Sequence, residues 1–194
     1  MKLQLQKEKN SLIKGQQKNK EIGIEIKQDM LENQVKSVYL GIGSNLGNKK
    51  KNIEQAKFKL IENNIWIEKS SNYYESLSWP DSKNPKFLNI VLKVKTNLAP
   101  INLIQICKKI EAILGRKKGK KNAPRECDID IIDYDNQKTN NKIILPHPRM
   151  NKRNFVLFPL YELDKAWIHP ISGQSIKKLI LSLPNRDIRS IKQI

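Results

Sequence analysis

The chain has 194 residues and a formal net charge of +18, from 37 Lys and Arg against 19 Asp and Glu, a size that suits one domain with appendages and a core of its own. No apolar run approaches membrane-spanning length and the N-terminus lacks the apolar centre of a secretory signal, so a cytoplasmic protein with no membrane partner is expected. The charge attracts polyanions of any kind, but it is mostly Lys scattered among Asn and Ile, and it supports an anionic substrate better than nucleic acid.

Residues 1–36 are polar, with Leu12, Ile13, Ile22, Ile24, Ile26, Met30 and Leu31 too sparse to cover a core; a disordered or loosely docked extension is expected. Residues 38–43, V-Y-L-G-I-G, form a predicted strand that runs into S-N-L-G, with Asn45 or Ser44 as N-cap of a helix over 49–63. Glycines 41, 43 and 47 do not make a dinucleotide loop, because the third Gly of G-x-G-x-x-G would fall on Leu46, and no Walker Lys-Ser/Thr follows. Small residues at a strand-to-helix turn account for them. A second strand is predicted over 65–74. A polar loop with Trp79, Pro80 and Pro85 then leads through Phe87-Leu88-Asn89 to a third strand over 90–96, with Asn89 itself a turn residue.

Pro100 opens a predicted helix with Leu103, Ile106, Ile110, Ile113 and Leu114 at core spacing and Gly115 as its C-cap. Glu111 on this helix is expected at the solvated surface. Cys107 and Cys127 are expected as reduced core residues, neither a disulfide nor a zinc site. Residues 117–122, K-K-G-K-K-N, are a basic loop, by default a solvated charge run.

Residues 121–132, K-N-A-P-R-E-C-D-I-D-I-I, carry the chemistry. In a strand, positions i and i+2 share a face about 6.5 Å apart, so Asp128 and Asp130 point one way while Cys127, Ile129 and Ile131 enter a core. Two carboxylates that close repel unless a positive charge lies between them. Mg2+ suits the place, since it takes a few carboxylate oxygens and fills its other positions with water and phosphates. Arg125 adds the planar guanidinium best shaped to hold a phosphate. After Tyr134 a polar turn leads to Ile143-Ile144-Leu145 and then to P-H-P-R-M-N-K-R-N-F, residues 146–155. His147, among prolines and arginines, is a ligand candidate; His169 is expected to be structural. Residues 156–163 and 175–183 are predicted closing helices, and 184–194 a polar tail.

The string 121–132 is similar to the signature of the 6-hydroxymethyl-7,8-dihydropterin pyrophosphokinase family, a basic residue, any residue, a small residue, then P-R-x-x-D-[apolar]-D-[apolar]-[apolar], and matches it at every constrained position. G-S-N-L-G after the first strand and residues 146–155 extend the resemblance, which covers about 37–183. It implies an α+β ferredoxin-like sandwich, an antiparallel sheet with helices packed on it, in keeping with the strand-helix-strand-strand-helix-strand order. It implies pyrophosphate transfer from ATP to the hydroxymethyl dihydropterin in folate biosynthesis, with release of AMP. Asp128 and Asp130 would hold two Mg2+ ions. Arg116, Arg125, His147, Arg153 and Glu111 would bind ATP, with Arg116, Arg125, Asp128 and Asp130 catalytic. Asn89, Phe87 and Phe155 would bind the pterin, a flat amide-bearing ring that calls for stacking and a donor-acceptor amide. Small molecules are then the partners, nucleic acid is not, and a monomer is expected. Many relatives have Trp just before the Gly-Pro-Arg where this chain has Asn122-Ala123, so an aromatic wall over the pterin does not carry over from that position.

Two other classes fit the sequence less well. The same element order builds an RNA-recognition module, but this needs aromatics in a K/R-G-F/Y-G/A-F-V-x-F/Y strand, and the third strand here is L-N-I-V-L-K-V. A metal-dependent nuclease would need more acidic residues beside D-x-D.

Overall fold

The structure, a computed structural model, describes residues 34–79, 81–117 and 122–194. The extension expected over 1–36 therefore lies outside the described residues except for its last three, as do Pro80 and 118–121 of the basic loop. Residues 36–194 form one compact unit.

Strand β1 (Lys36–Ser44) alternates as its sequence demands, with Val38, Leu40 and Ile42 buried on one face and Tyr39, Gly41 and Gly43 on the other. Helix α1 (Lys49–Glu62) is capped by Asn48, whose Oδ1 accepts from Lys51 N at 3.0 Å. This displaces the expected cap at Ser44 or Asn45. The single strand expected over 65–74 is two, β2 (Trp66–Ser70) and β3 (Tyr74–Ser76), both antiparallel to β4 (Phe87–Thr96). At the break Ser71 N donates to Val91 O at 2.9 Å but Val91 N donates to Ser71 Oγ, so a side chain takes one of the two backbone bonds of the ladder there. Strand β4 starts before its expected position and includes Asn89, which is no turn residue.

Helix α2 (Pro100–Ile113) buries Leu103, Cys107 and Ile110; Leu114 is the C-cap and Gly115 takes φ +102°. Ile113, expected in the core, is exposed. Strand β5 (Asp128–Tyr134) carries the D-x-D, and β6 (Thr139–Asn140) and β7 (Ile144–Leu145) make a small ribbon. A 3-10 turn (Met150–Lys152) leads to α3 (Asn154–Leu163) and α4 (Ile176–Leu181). The tail is structured: α5 (Asn185–Ser190) precedes β8 (Lys192–Gln193), which pairs with β3.

Among the described residues the six-stranded sheet runs β5-β1-β4-β3-β8, with β2 also on β4, and every pairing is antiparallel. Ile53, Ala56 and Leu60 of α1 and Leu103, Cys107 and Ile110 of α2 close one face over Leu40, Ile42, Ile90, Leu92 and Ile129. This is the expected α+β sandwich. The opposite face has a second layer, in which Val156, Leu157 and Leu160 of α3, with Trp167, pack on Tyr39, Val91 and Ile132. At about 1.5–3 kcal/mol for each large apolar side chain buried, both layers contribute to holding the sheet rigid. No helix of the described residues is long and apolar enough to cross a membrane.

Candidate active site

Where α3 leaves the second face uncovered, the sheet floors a cavity of about 870 Å3. Asp128 and Asp130 of β5 lie opposite Gly43 and Gly41 of β1 in register and line this space. The glycines keep the floor low. A Cβ on Gly43 would meet Asn89 Oδ1 at 3.0 Å and Phe87 Cδ1 at 3.2 Å, and one on Gly41 would meet Ile132 Cδ1 at 3.2 Å. Gly41 and Gly43 are thus strand residues that clear the cavity, and only Gly47, at φ +64°, serves the turn expected for all three.

One end of the cavity is ionic. Arg116 Nη1 and Arg125 Nη2 each lie 2.5 Å from one Asp128 oxygen, Oδ1 and Oδ2 respectively. Arg153 Nη1 lies 3.2 Å from Asp130 Oδ2, and His147 Nε2 lies 3.7 Å from the same atom. Burial would raise the Asp128 carboxyl, but Arg125 and Arg116 outweigh it and hold the group below the usual carboxylate range. Burial lowers His147, with the cations Arg153 and Arg149 adding to it and Asp130 opposing, so the imidazole is neutral at neutral pH. Glu111 is not the solvated residue its helical position suggests. It is 2 % exposed, and accepts from Ile129 N at 2.7 Å, Lys108 Nζ at 2.7 Å and Arg116 Nη1 at 2.6 Å. It therefore ties α2, β5 and Arg116 together. The Arg125 Nε is buried, with no hydrogen-bond partner among the described residues.

The other end is aromatic and amide. Asn89 donates from Nδ2 to Tyr74 O at 3.2 Å and Ser76 Oγ at 3.0 Å, which fixes its orientation. Phe87 lies under Arg125 at 5.3 Å and Phe155 under Arg153 at 5.4 Å, so each ring adjoins a guanidinium of the ionic end.

Of the ten residues expected at the site, Phe87, Asn89, Glu111, Arg116, Arg125, Asp128, Asp130, Arg153 and Phe155 line this one cavity, and His147 adjoins it through Asp130 and Arg153. His169 lies apart, its Nδ1 accepting from Ile171 N and Ser172 N, as expected of a structural residue. Burial pushes both Cys107 and Cys127 up to about 12, so these free thiols stay protonated. Asn45 was not foreseen. Its Oδ1 accepts from Arg125 N at 2.7 Å, its N donates to Arg125 O at 3.1 Å, and its Nδ2 reaches Ser78 Oγ and Pro85 O. Lys108, Trp79 and Arg149, which also line the cavity, were missed as well; charge and aromaticity alone do not single them out.

Residues 39–165 match the family model described as 7,8-dihydro-6-hydroxymethylpterin-pyrophosphokinase (HPPK). The chain belongs to the HPPK family. It is a pyrophosphokinase of folate biosynthesis that acts on a hydroxymethyl dihydropterin, with ATP as co-substrate and Mg2+ as the family's metal. Among its relatives is the 2-amino-4-hydroxy-6-hydroxymethyldihydropteridine pyrophosphokinase of Aquifex aeolicus, 43% identical over 143 residues, or 73% of this chain and 89% of the relative. The folic acid synthesis protein of Pneumocystis carinii is 38% identical over 156 residues, 80% of this chain but 21% of that protein. The wild-type HPPK-DHPS of Plasmodium falciparum shares the fold, with a TM-score of 0.65 at 14% identity over 85% of this chain and 46% of that one. The chain thus spans most of the bacterial HPPK and only a part of the two longer proteins.

Proposed function

We propose that the ionic end of the cavity takes the triphosphate of ATP and the aromatic end the pterin, so that the hydroxymethyl oxygen faces the β-phosphorus. The observation that carries this is the single cavity in which two carboxylates ringed by arginines adjoin two aromatic rings and a fixed amide. The carboxylates fit the metal. Asp128 and Asp130 offer hard oxygens on one face of β5, and among the described residues no third His, Cys, Asp or Glu completes a closed metal site, as suits an ion that keeps positions for phosphate and water. They would hold two Mg2+ ions, which supply charge neutralisation along the phosphate chain when bound.

The new bond joins the hydroxymethyl oxygen to the β-phosphorus, and the bond from the β-phosphorus to the bridging oxygen breaks, so AMP leaves with that oxygen. Arg116 and Arg125, which flank Asp128, would take the charge that grows on the leaving phosphate. Arg153 and neutral His147 orient the phosphates from the Asp130 side, and Glu111 holds Arg116 in position. Asn89 and the rings of Phe87 and Phe155 orient the pterin. The hydroxyl proton passes to water, since Asp128, Asp130 and Glu111 are each engaged with cations. The protein acts as a cytoplasmic monomer on small molecules alone; α3 covers the part of the sheet face that an RNA-recognition module would leave open.

Asp130→Ala tests the metal role. Turnover should fall by orders of magnitude and Mg2+ affinity in the presence of ATP should drop, while the fold is retained with a melting temperature lowered by the loss of the Arg153 ion pair. An active Asp130→Ala variant would remove the metal assignment.

A further inference from the structure

Three aromatic side chains of the cavity each have a guanidinium over the ring, and only two belong to the assignment above. The third pair is Arg149 over Trp79, at 5.4 Å. Both residues line the cavity. Trp79 is 54% exposed, and Leu46 and Leu77, also cavity residues, are exposed as well, so three apolar side chains face the same open space. A large exposed apolar surface inside a cavity with a few fixed polar groups marks where a flat, partly apolar ligand is held.

The loop that carries Trp79 is anchored at its base. Ser78 Oγ donates to Pro85 O at 2.5 Å, and Asn45 Nδ2 donates to Ser78 Oγ at 3.3 Å and to Pro85 O at 3.1 Å. Through its Oδ1 and N, the same Asn45 holds the peptide of Arg125. Trp79 thus stands next to a loop base that is tied to the phosphate-binding arginine on one side. From the other, Arg149 reaches it from the loop of His147, whose Nδ1 accepts from Arg149 N at 3.2 Å.

We propose that Trp79 is a third stacking wall for the pterin and that Arg149 is the positioning residue that sets its plane. This rests on the assignment of the aromatic end to the pterin, and adds to it a wall from the loop that precedes β4. The indole covers the heterocycle on the solvent side, while the guanidinium on it prevents rotation out of the mouth. The pair acts on the heterocycle and leaves nucleotide affinity to the arginines of the ionic end.

Calorimetric titration of the hydroxymethyl dihydropterin into protein saturated with Mg2+ and α,β-methylene-ATP, whose scissile link is inert, tests this. Trp79→Ala should weaken pterin binding about tenfold or more, the loss typical of removing one stacking partner. Trp79→Phe should stay within about threefold of wild type, as a smaller ring still stacks. Arg149→Gln should weaken pterin binding less than Trp79→Ala does, and Arg149→Lys should recover part of that loss. Nucleotide-analogue affinity and melting temperature should be unchanged in all four. Wild-type pterin affinity in Trp79→Ala would overturn the proposal. So would an equal loss of pterin and nucleotide binding with a lowered melting temperature, which would make Trp79 a packing residue of its loop. If the wild type itself bound no pterin, the assignment of the aromatic end would fall, and this proposal with it.

Discussion

Arg125 meets three groups at once: Asp128 Oδ2 at 2.5 Å, the Ala123 carbonyl at 3.1 Å and the face of Phe87. A guanidinium has five N–H donors in a planar fork and can donate to a phosphate oxygen while keeping its ion pair, which an ammonium cannot reproduce. Arg125→Ala should therefore cut kcat sharply with the fold intact, and Arg125→Lys should rescue only part, as steady-state kinetics beside a melting curve will tell. Unchanged kinetics would remove Arg125 from the site. Asp133 offers a different test, away from the chemistry. Burial raises its carboxyl above the usual range, outweighing the hydrogen bonds from Trp167 Nε1 at 2.9 Å and Asn136 N at 3.1 Å. The native state thus holds this proton more tightly than the unfolded chain, and the contribution to stability is full below the unfolded pKa of about 3.9 and is lost as pH rises through the higher folded value. Asp133→Asn does not titrate. Its melting temperature relative to wild type should become more favourable from pH 4 to pH 7, and a difference independent of pH would contradict the assignment.

Strands β1, β4 and β5 make the site by what they leave out as much as by what they carry. Gly43 sits where a methyl group would press on Asn89 and Phe87 together. Gly43→Ala should lower pterin affinity in the same titration with little change in nucleotide affinity, and equal affinity for both would show that the neighbours give way freely. The alternation V-Y-L-G-I-G and the run D-I-D-I-I were legible in the sequence because period two and β-branched residues fix which side faces the core, as Val38, Leu40, Ile42, Ile129 and Ile131 bear out. The split between β2 and β3 was not legible, since it depends on Ser71 Oγ reaching Val91 N across the sheet. Asn45 was hidden for the same reason: its partners lie 33, 40 and 80 residues away, and no local pattern records them. Glu111 looked like surface on its helix because the strand that buries it comes later in the chain.

Among the described residues the sheet, both apolar layers and the cavity lining fall within 36–194, and residues 1–33 are too polar in sequence to add a core of their own. A chain lacking residues 1–33 should thus keep the melting temperature and turnover of the full chain, and a large loss of either would assign the extension a part in the fold. Removing 185–194 should cost more than a polar tail would. It takes β8 from β3 and leaves Asn154 Nδ2, next to Phe155, without Asp187 O at 2.6 Å and Ser190 Oγ at 3.1 Å. Two hydrogen bonds at about 1 kcal/mol each correspond to a melting temperature lowered by about 4–8 °C in a chain of this size. A truncated protein as stable as the full chain would show the tail to be dispensable. The central claim is that this one cavity brings the hydroxymethyl oxygen of the pterin in line with the β-phosphorus of ATP. The most direct measurement is 31P NMR of the protein incubated with ATP, Mg2+ and 6-hydroxymethyl-7,8-dihydropterin, which should show AMP and a pterin diphosphate appearing in equal amounts, and neither with Asp130→Ala; ADP with a pterin monophosphate, or full turnover by that variant, would contradict it.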